Sequence, residues 1–124
     1  MENAKLLSPS VLAFVGDAVY SLLVRTFLAD ESRPSDVLHS KAVNFVCAKA
    51  QAEAFCKIKP YLSEEEMSVF TRGRNFHTSN TPKSANTADY HTATGLECLF
   101  GFLHLSGQEA RINELFKIIT DGAV

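Results

Sequence analysis

The sequence has no tryptophan, two methionines, three cysteines and four prolines among its 124 residues. Cys47, Cys56 and Cys98 form no C-x-x-C pair, their number is odd and their neighbours in sequence are apolar. That argues against a disulfide framework and for reduced thiols in the cytosol. A strong excess of either charge is also missing: 12 Lys and Arg stand against 14 Asp and Glu, a formal net charge of −2. This excludes a wholly basic nucleic-acid binder while leaving room for a local basic patch. The N-terminus, MENAKLLSPS, lacks the basic region, apolar stretch and small-residue site of a signal peptide. The apolar run from Val11 to Val24 has 14 residues and contains Asp17, too short to span a bilayer. The expectation is a cytoplasmic protein with no membrane partner. Hydrophobic residues make up 46 % and charged residues 21 %, a balance that supports one globular core in a chain of this length.

What is there reads as helix. Ser8-Pro9 is a start signal, a capping hydroxyl followed by the residue best tolerated in a first turn. This predicts a helix to about Leu28, before the polar break ADESRPS. A second helix is expected from about Ser35 to Lys57, with Val37, Leu38, Val43, Val46, Cys47, Ala50 and Ala54 as its apolar stripe. Pro60 stops it. Ser63 with Glu66 three residues on forms a capping box for a short helix to about Arg72. The segment NFHTSNTPKSANTADYH is rich in Asn, Thr and Ser and has no apolar period, so it is expected to be a long loop. Loops of this length in small domains tend to be functional or disordered. A fourth helix is expected from about Asp89 to Leu105. Ser106-Gly107-Gln108-Glu109 then leads into a fifth, ending near Thr120. With no credible strand pair and no repeat, the fold class is all-α in one domain, residues 1–124.

Two carboxylates stand out. Asp17 lies in FVGDAVYSLLV and Glu97 in LECLFGFLHL, the two most apolar stretches of the chain. Each is expected to be dehydrated, and an unpaired dehydrated charge costs several kcal/mol, to order of magnitude. Glycines flank both: Gly16 beside Asp17, and Gly95 and Gly101 around Glu97. Glycine within a helix costs about 1 kcal/mol relative to alanine and is kept where backbones or ligands come close. Two facing carboxylates would repel, and a divalent cation between them would reverse the repulsion. Oxygen ligands few in number suit Mg2+ or Mn2+. The alternative is structural: Asp17 ion-paired to an arginine such as Arg72, and Glu97 on a solvated stripe.

The residues Phe14-Val15-Gly16-Asp17-Ala18-Val19 resemble the signature of the ribonuclease III family. Thr94 to Leu105, TGLECLFGFLHL, resembles that family's second acidic block, about 80 residues further on. HSKAVNFVCAKAQA, FTRGRN and TGLECLFGFLHLSGQEARINEL are similar to its Mini-ribonuclease III branch, over nearly the whole chain. The resemblance implies a helical endonuclease domain with no following double-stranded-RNA-binding domain, dimeric, cutting double-stranded RNA with Mg2+, or with Mn2+ as a substitute. It further implies the large-subunit (23S) ribosomal RNA precursor as substrate, with a ribosomal protein or the pre-ribosome as a further partner. Asp17 and Glu97 fall on the family's metal-binding, catalytic carboxylates. Three other acidic positions do not carry over: Ser10, Ala13 and Thr94 stand there. A leaner metal site is implied, more dependent on water and RNA phosphate.

RNA needs cations. Between residues 72 and 91 the chain holds Arg72, Arg74 and Lys83 against Asp89, with His77 and His91. Arg72, Arg74, Asn75, His77 and Lys83 are therefore the expected RNA contacts, extended by Lys49; a solvated loop with ordinary charges is the alternative. His39 and His104 have no metal-ligand spacing and are expected to pack or cap. Tyr20 is open between a bond near Asp17 and core packing. The first helix is apolar at 11 of the 14 positions from Val11 to Val24, so one side is expected to form a dimer seam. The rival function is a catalytically silent RNA-binding or assembly module of the same fold.

Overall fold

Local signals set the helix ends. The amide of Val11 donates to the Ser8 hydroxyl at 3.3 Å, with Pro9 in the first turn. The Ser63 amide donates to the Glu66 carboxylate at 2.9 Å and the Glu66 amide to the Ser63 hydroxyl at 3.1 Å, a complete capping box. Gly107 adopts a φ of 76°, which lets the Gln108 amide reach back to the Leu103 carbonyl at 2.8 Å and ends a helix. The structure, a computed structural model, describes residues 1–29, 33–76 and 87–122. Within these are six helices: α1 (Pro9–Leu28), α2 (Ser35–Val46), α3 (Ala48–Ile58), α4 (Glu64–Arg74), α5 (Thr87–Leu105) and α6 (Glu109–Thr120). Short 3-10 turns occupy Ala4–Leu6 and Lys59–Tyr61, and no strand occurs among the described residues.

The expected single helix from Ser35 to Lys57 is two helices, broken at Cys47, whose backbone is extended (φ −66°, ψ 157°). Burial explains the break. In α2 Ala42 is buried and Leu38, Phe45 and Val46 pack against the core; in α3 the buried row is Gln51, Ala54, Phe55 and Ile58. At about 100° per residue, one continuous helix would point these two sets to nearly opposite sides. The break brings both onto the core. It also leaves Val37 and Val43, expected in the buried stripe, exposed.

Helix α5 is the centre. Ala93, Gly95, Leu96 and every residue from Cys98 to Leu103 are buried, because α1, α3 and α4 pack around it. Tyr20 belongs to this core: it is buried edge-on against Phe100 at 5.3 Å and Phe116 at 5.9 Å, and burial pushes its hydroxyl pKa upward. Helix α1 buries Leu12, Gly16, Tyr20, Val24 and Leu28, one row at four-residue spacing. Its 20 residues are long and apolar enough to cross a membrane by length and composition, because the helix extends beyond the 14-residue apolar run at both ends. Here it forms one wall of the core.

Two glycine crossings fix the helix spacing. A Cβ on Gly16 would lie 1.6 Å from the Glu97 carbonyl oxygen, and one on Gly101 would lie 2.0 Å from the Leu12 carbonyl oxygen. Helices α1 and α5 thus touch backbone to backbone. On another side of α5, a Cβ on Gly73 would meet the Cys98 sulfur at 2.6 Å, and one on Gly95 would meet the Phe70 ring at 2.6 Å. Phe70 is stacked on Phe55 from α3, centroids 3.6 Å apart. Cys98 is buried, whereas Cys47 and Cys56 are exposed, contrary to the apolar setting expected from their sequence neighbours.

Candidate active site at the crossing of α1 and α5

The glycine contact between Gly16 and the Glu97 carbonyl places Asp17, the next residue, beside the Glu97 side chain. The two carboxyl groups lie close enough to act on each other directly. Asp17 is not dehydrated as its sequence neighbours suggested: it is exposed in the single chain, and Glu97 is half-buried. Helical spacing puts Asp17 at the border between the buried row of α1 and an exposed stripe of Val11, Phe14, Ala18 and Leu22. Burial and the neighbouring Asp17 carboxyl push Glu97 up to about 8, opposed by the Gln51 amide. No cationic side chain is among these influences.

The arginine proposed as a structural partner for Asp17 lies elsewhere. Arg72 donates to the backbone carbonyls of Lys5 and Leu7, fastening the N-terminal turn to α4. Sequence gave no hint of that role.

Beside Glu97 opens a cavity of about 190 Å³ lined by Pro9, Ser10, Ala13, Phe76, Tyr90, Thr94 and Glu97. Ser10, Ala13 and Thr94, the neutral residues at family acidic positions, therefore all line one space with Glu97. A larger groove of about 550 Å³ along α4, lined by Glu64, Met67, Ser68, Thr71, Arg72 and Asn75, lacks the carboxylate pair. Among the described residues no three His, Cys, Asp or Glu side chains converge to hold a metal. Asp17 and Glu97 still fit a hard divalent cation: two adjacent carboxyl groups, with no cation among the influences on Glu97, beside a space for water and phosphate.

The expected RNA-contacting residues divide. Arg74 is exposed near the end of α4, with its Nε donating to Asn75 Oδ1 at 3.3 Å and its guanidinium 5.8 Å from the Phe70 ring. Asn75 caps α4, and the next residue, Phe76, lines the Glu97 cavity, so this basic helix end adjoins the carboxylates. Lys49 is exposed in the first turn of α3, two residues before Gln51. His77 and Lys83 lie outside the described residues. His39 is exposed at a separate pocket with Arg25, Leu28, Ser35, Leu38 and Ala42. His104 pairs with Glu109 at 2.8 Å, in the first turn of α6. Thr94 donates to the Tyr90 carbonyl at 3.1 Å.

The sequence reading missed Gln51. It is buried, and its amide nitrogen donates to the Val46 carbonyl at 2.9 Å and supports Glu97. The signal was available: in AKAQAEAFCKI the apolar row Ala54, Phe55, Ile58 continues back onto a glutamine.

Comparison with known proteins agrees with this geometry. The family model described as the Ribonuclease III domain matches residues 10–108. The chain is 45% identical over 118 residues to a Mini-ribonuclease 3 of Thermoanaerobacter sp. (strain X514), covering 94% of this chain and 83% of the relative. It is 46% identical over 117 residues to the Mini-ribonuclease 3 of Brevibacillus brevis, covering 93% and 87%. A crystal structure of protein FN1578 from Fusobacterium nucleatum superposes with a TM-score of 0.89 at 27% identity, covering 100% of both chains. The chain therefore belongs to the ribonuclease III family of endoribonucleases, in its Mini-ribonuclease III branch.

Proposed function

We propose that this protein cuts double-stranded RNA with Mg2+, or with Mn2+ in its place, at the Asp17–Glu97 pair. The observation that carries the proposal is the meeting of these carboxylates, with no cation among the influences on Glu97, beside an open cavity. Asp17 and Glu97 are the proposed metal-binding and catalytic residues. A divalent cation held there would lower the pKa of a bound water and neutralise charge on the attacked phosphate. The protein contributes position. The crossing at Gly16 and Gly101 fixes the two carboxylates relative to each other. Ser10, Ala13 and Thr94 add no further charge to the cavity, leaving room for water and an RNA phosphate. Arg74, Asn75 and Lys49 would hold the RNA backbone, joined by His77 and Lys83; Arg72 keeps N–H groups not used on Lys5 and Leu7. The products are a 5′-phosphate and a 3′-hydroxyl.

A duplex presents two strands, and a two-fold dimer would present one site to each. Phe14 at 80% and Leu22 at 66% exposure, with Val11, supply an apolar strip beside Asp17 that suits such a seam. Branch membership supports a cytoplasmic role on the large-subunit ribosomal RNA precursor, in the context of the pre-ribosome or a ribosomal protein. The test is incubation of the purified chain with a long RNA duplex, with Mg2+ or chelator, mapping both ends of each cut. Cation-dependent cleavage lost in Glu97→Gln supports the proposal. Binding without cleavage would favour the silent RNA-binding module instead.

A further inference from the structure

Gln51 and Glu66 are the buried polar residues found among the described residues, at 4% and 5% exposure. Glu66 has every need met by Ser63 and Arg111. Gln51 does not. Its Nε2 carries two protons; one goes to the carbonyl of Val46, the last residue of α2, and the amide also favours the charged form of the nearby Glu97 carboxyl. Its Oε1 is buried with no hydrogen-bond partner. Flipping the amide cannot cure this, because it would set Oε1 against the Val46 carbonyl oxygen, and two acceptors repel. A buried acceptor left unmade is costly, so Oε1 is a place for a donor from outside the chain.

Resting on the carboxylate site proposed above, we propose that Gln51 is a positioning residue: its nitrogen holds the Glu97 carboxylate, and its Oε1 accepts a hydrogen bond from a water brought in by the hydrated cation. The chemistry matches on both sides. Mg2+ and Mn2+ retain several waters, each a strong hydrogen-bond donor when metal-bound. Oε1 is an acceptor only, and sits on the same planar carbon as the nitrogen that reaches Glu97. The break at Cys47 makes this possible, since it ends α2 at Val46 and turns Gln51 inward toward α5.

The test is Mn2+ binding to the full chain, followed by the electron paramagnetic resonance signal of free Mn2+, with melting in chelator measured alongside. Gln51→Met keeps the length and removes both donor and acceptor. Its Mn2+ dissociation constant is expected to rise about tenfold, the lower end of what supporting partners of metal ligands contribute. A lower melting temperature in chelator with Mn2+ affinity within twofold of wild type would overturn the proposal, reducing Gln51 to a support for the Val46 carbonyl. Gln51→Glu decides the matter if Gln51→Met fails to fold: a third carboxylate should make Mn2+ raise its melting temperature more than that of wild type. An equal or smaller rise would overturn the proposal. Glu97→Gln separates the two levels. If it binds Mn2+ as wild type does, the carboxylate site itself is wrong; if it loses binding while Gln51→Met does not, only the role of Gln51 is.

Discussion

Glu66 and Glu97 both sit within helices of this small core, and their surroundings are opposite. The Glu66 carboxylate accepts from Arg111 Nε and Nη2, each at 2.8 Å, and from the Ser63 amide at 2.9 Å. Arg111 also reaches the Tyr61 carbonyl at 2.7 Å and pairs with Glu114, tying α6 to the start of α4. The Arg111 hydrogen bond holds Glu66 below the usual carboxylate range despite burial. Glu97 has Asp17 for a neighbour, and burial with that second negative charge drives it up to about 8. One carboxylate is neutralised within the fold and serves stability. The other is left with a like charge, as suits the cation site proposed for it.

This contrast can be broken most decisively at Glu97. Glu97→Gln should reduce cleavage of an RNA duplex by about 10³-fold or more, the scale of losing a transition-state interaction. Its melting temperature in chelator should hold or rise, because a repulsion is removed. Full Mg2+-dependent cleavage by this variant would remove the functional half of the comparison. Glu66→Gln should do the reverse. It weakens a buried bidentate pair and should cost about 3 kcal/mol in denaturant unfolding, while folded protein keeps its cleavage rate. A neutral effect on stability would show that Arg111 gains nothing from a charged partner.

The pH dependence of stability should separate the two without mutation. Glu97 is raised from 4.5 to about 8, so its contribution is fully present below about 4.5 and is lost as pH rises through about 8. Glu66 is lowered, so its contribution is present above its ordinary pKa and is lost as acid protonates the folded state. Chelated protein should thus lose stability as pH rises from about 4.5 to about 8 in a way that Glu97→Gln abolishes, and as pH falls below the ordinary carboxylate range in a way that Glu66→Gln abolishes. Identical pH profiles for wild type and Glu97→Gln would contradict the crowding of the carboxylates. The smallest expected effect concerns RNA affinity. Arg74→Ala should lower the salt dependence of duplex binding by about one phosphate contact, read as a slope change near 0.9 in log K against log salt. An unchanged slope would take Arg74 off the RNA surface.

Much of this was legible beforehand, and the reason differs by element. The capping box at Ser63 and Glu66 was readable because both partners lie within one helical turn. The Asp17–Glu97 pairing was readable because each carboxylate stood out against an apolar run and was marked by glycines. Their exposure was not readable: neighbours in sequence occupy all sides of a helix, and only packing decides which side is covered. Asp17 stands at the edge of the face that α5 covers. The second helix misled for the same reason, since its apolar residues formed a stripe on paper while α2 and α3 present opposite sides to the core.

The sequence by itself determined where helices begin, which residues carry charge, and that two acidic groups in apolar company required a counterpart. Those features depend on chemistry within a turn or two of chain, where covalent connection fixes the distances. Only the tertiary structure decided the remaining counterparts: Arg111 for Glu66 across 45 positions, Gln51 for Glu97, and the Lys5 and Leu7 carbonyls for Arg72. Partners so far apart meet only when helices cross. Here the crossing distance is set by glycines whose missing Cβ atoms let α1 and α5 touch.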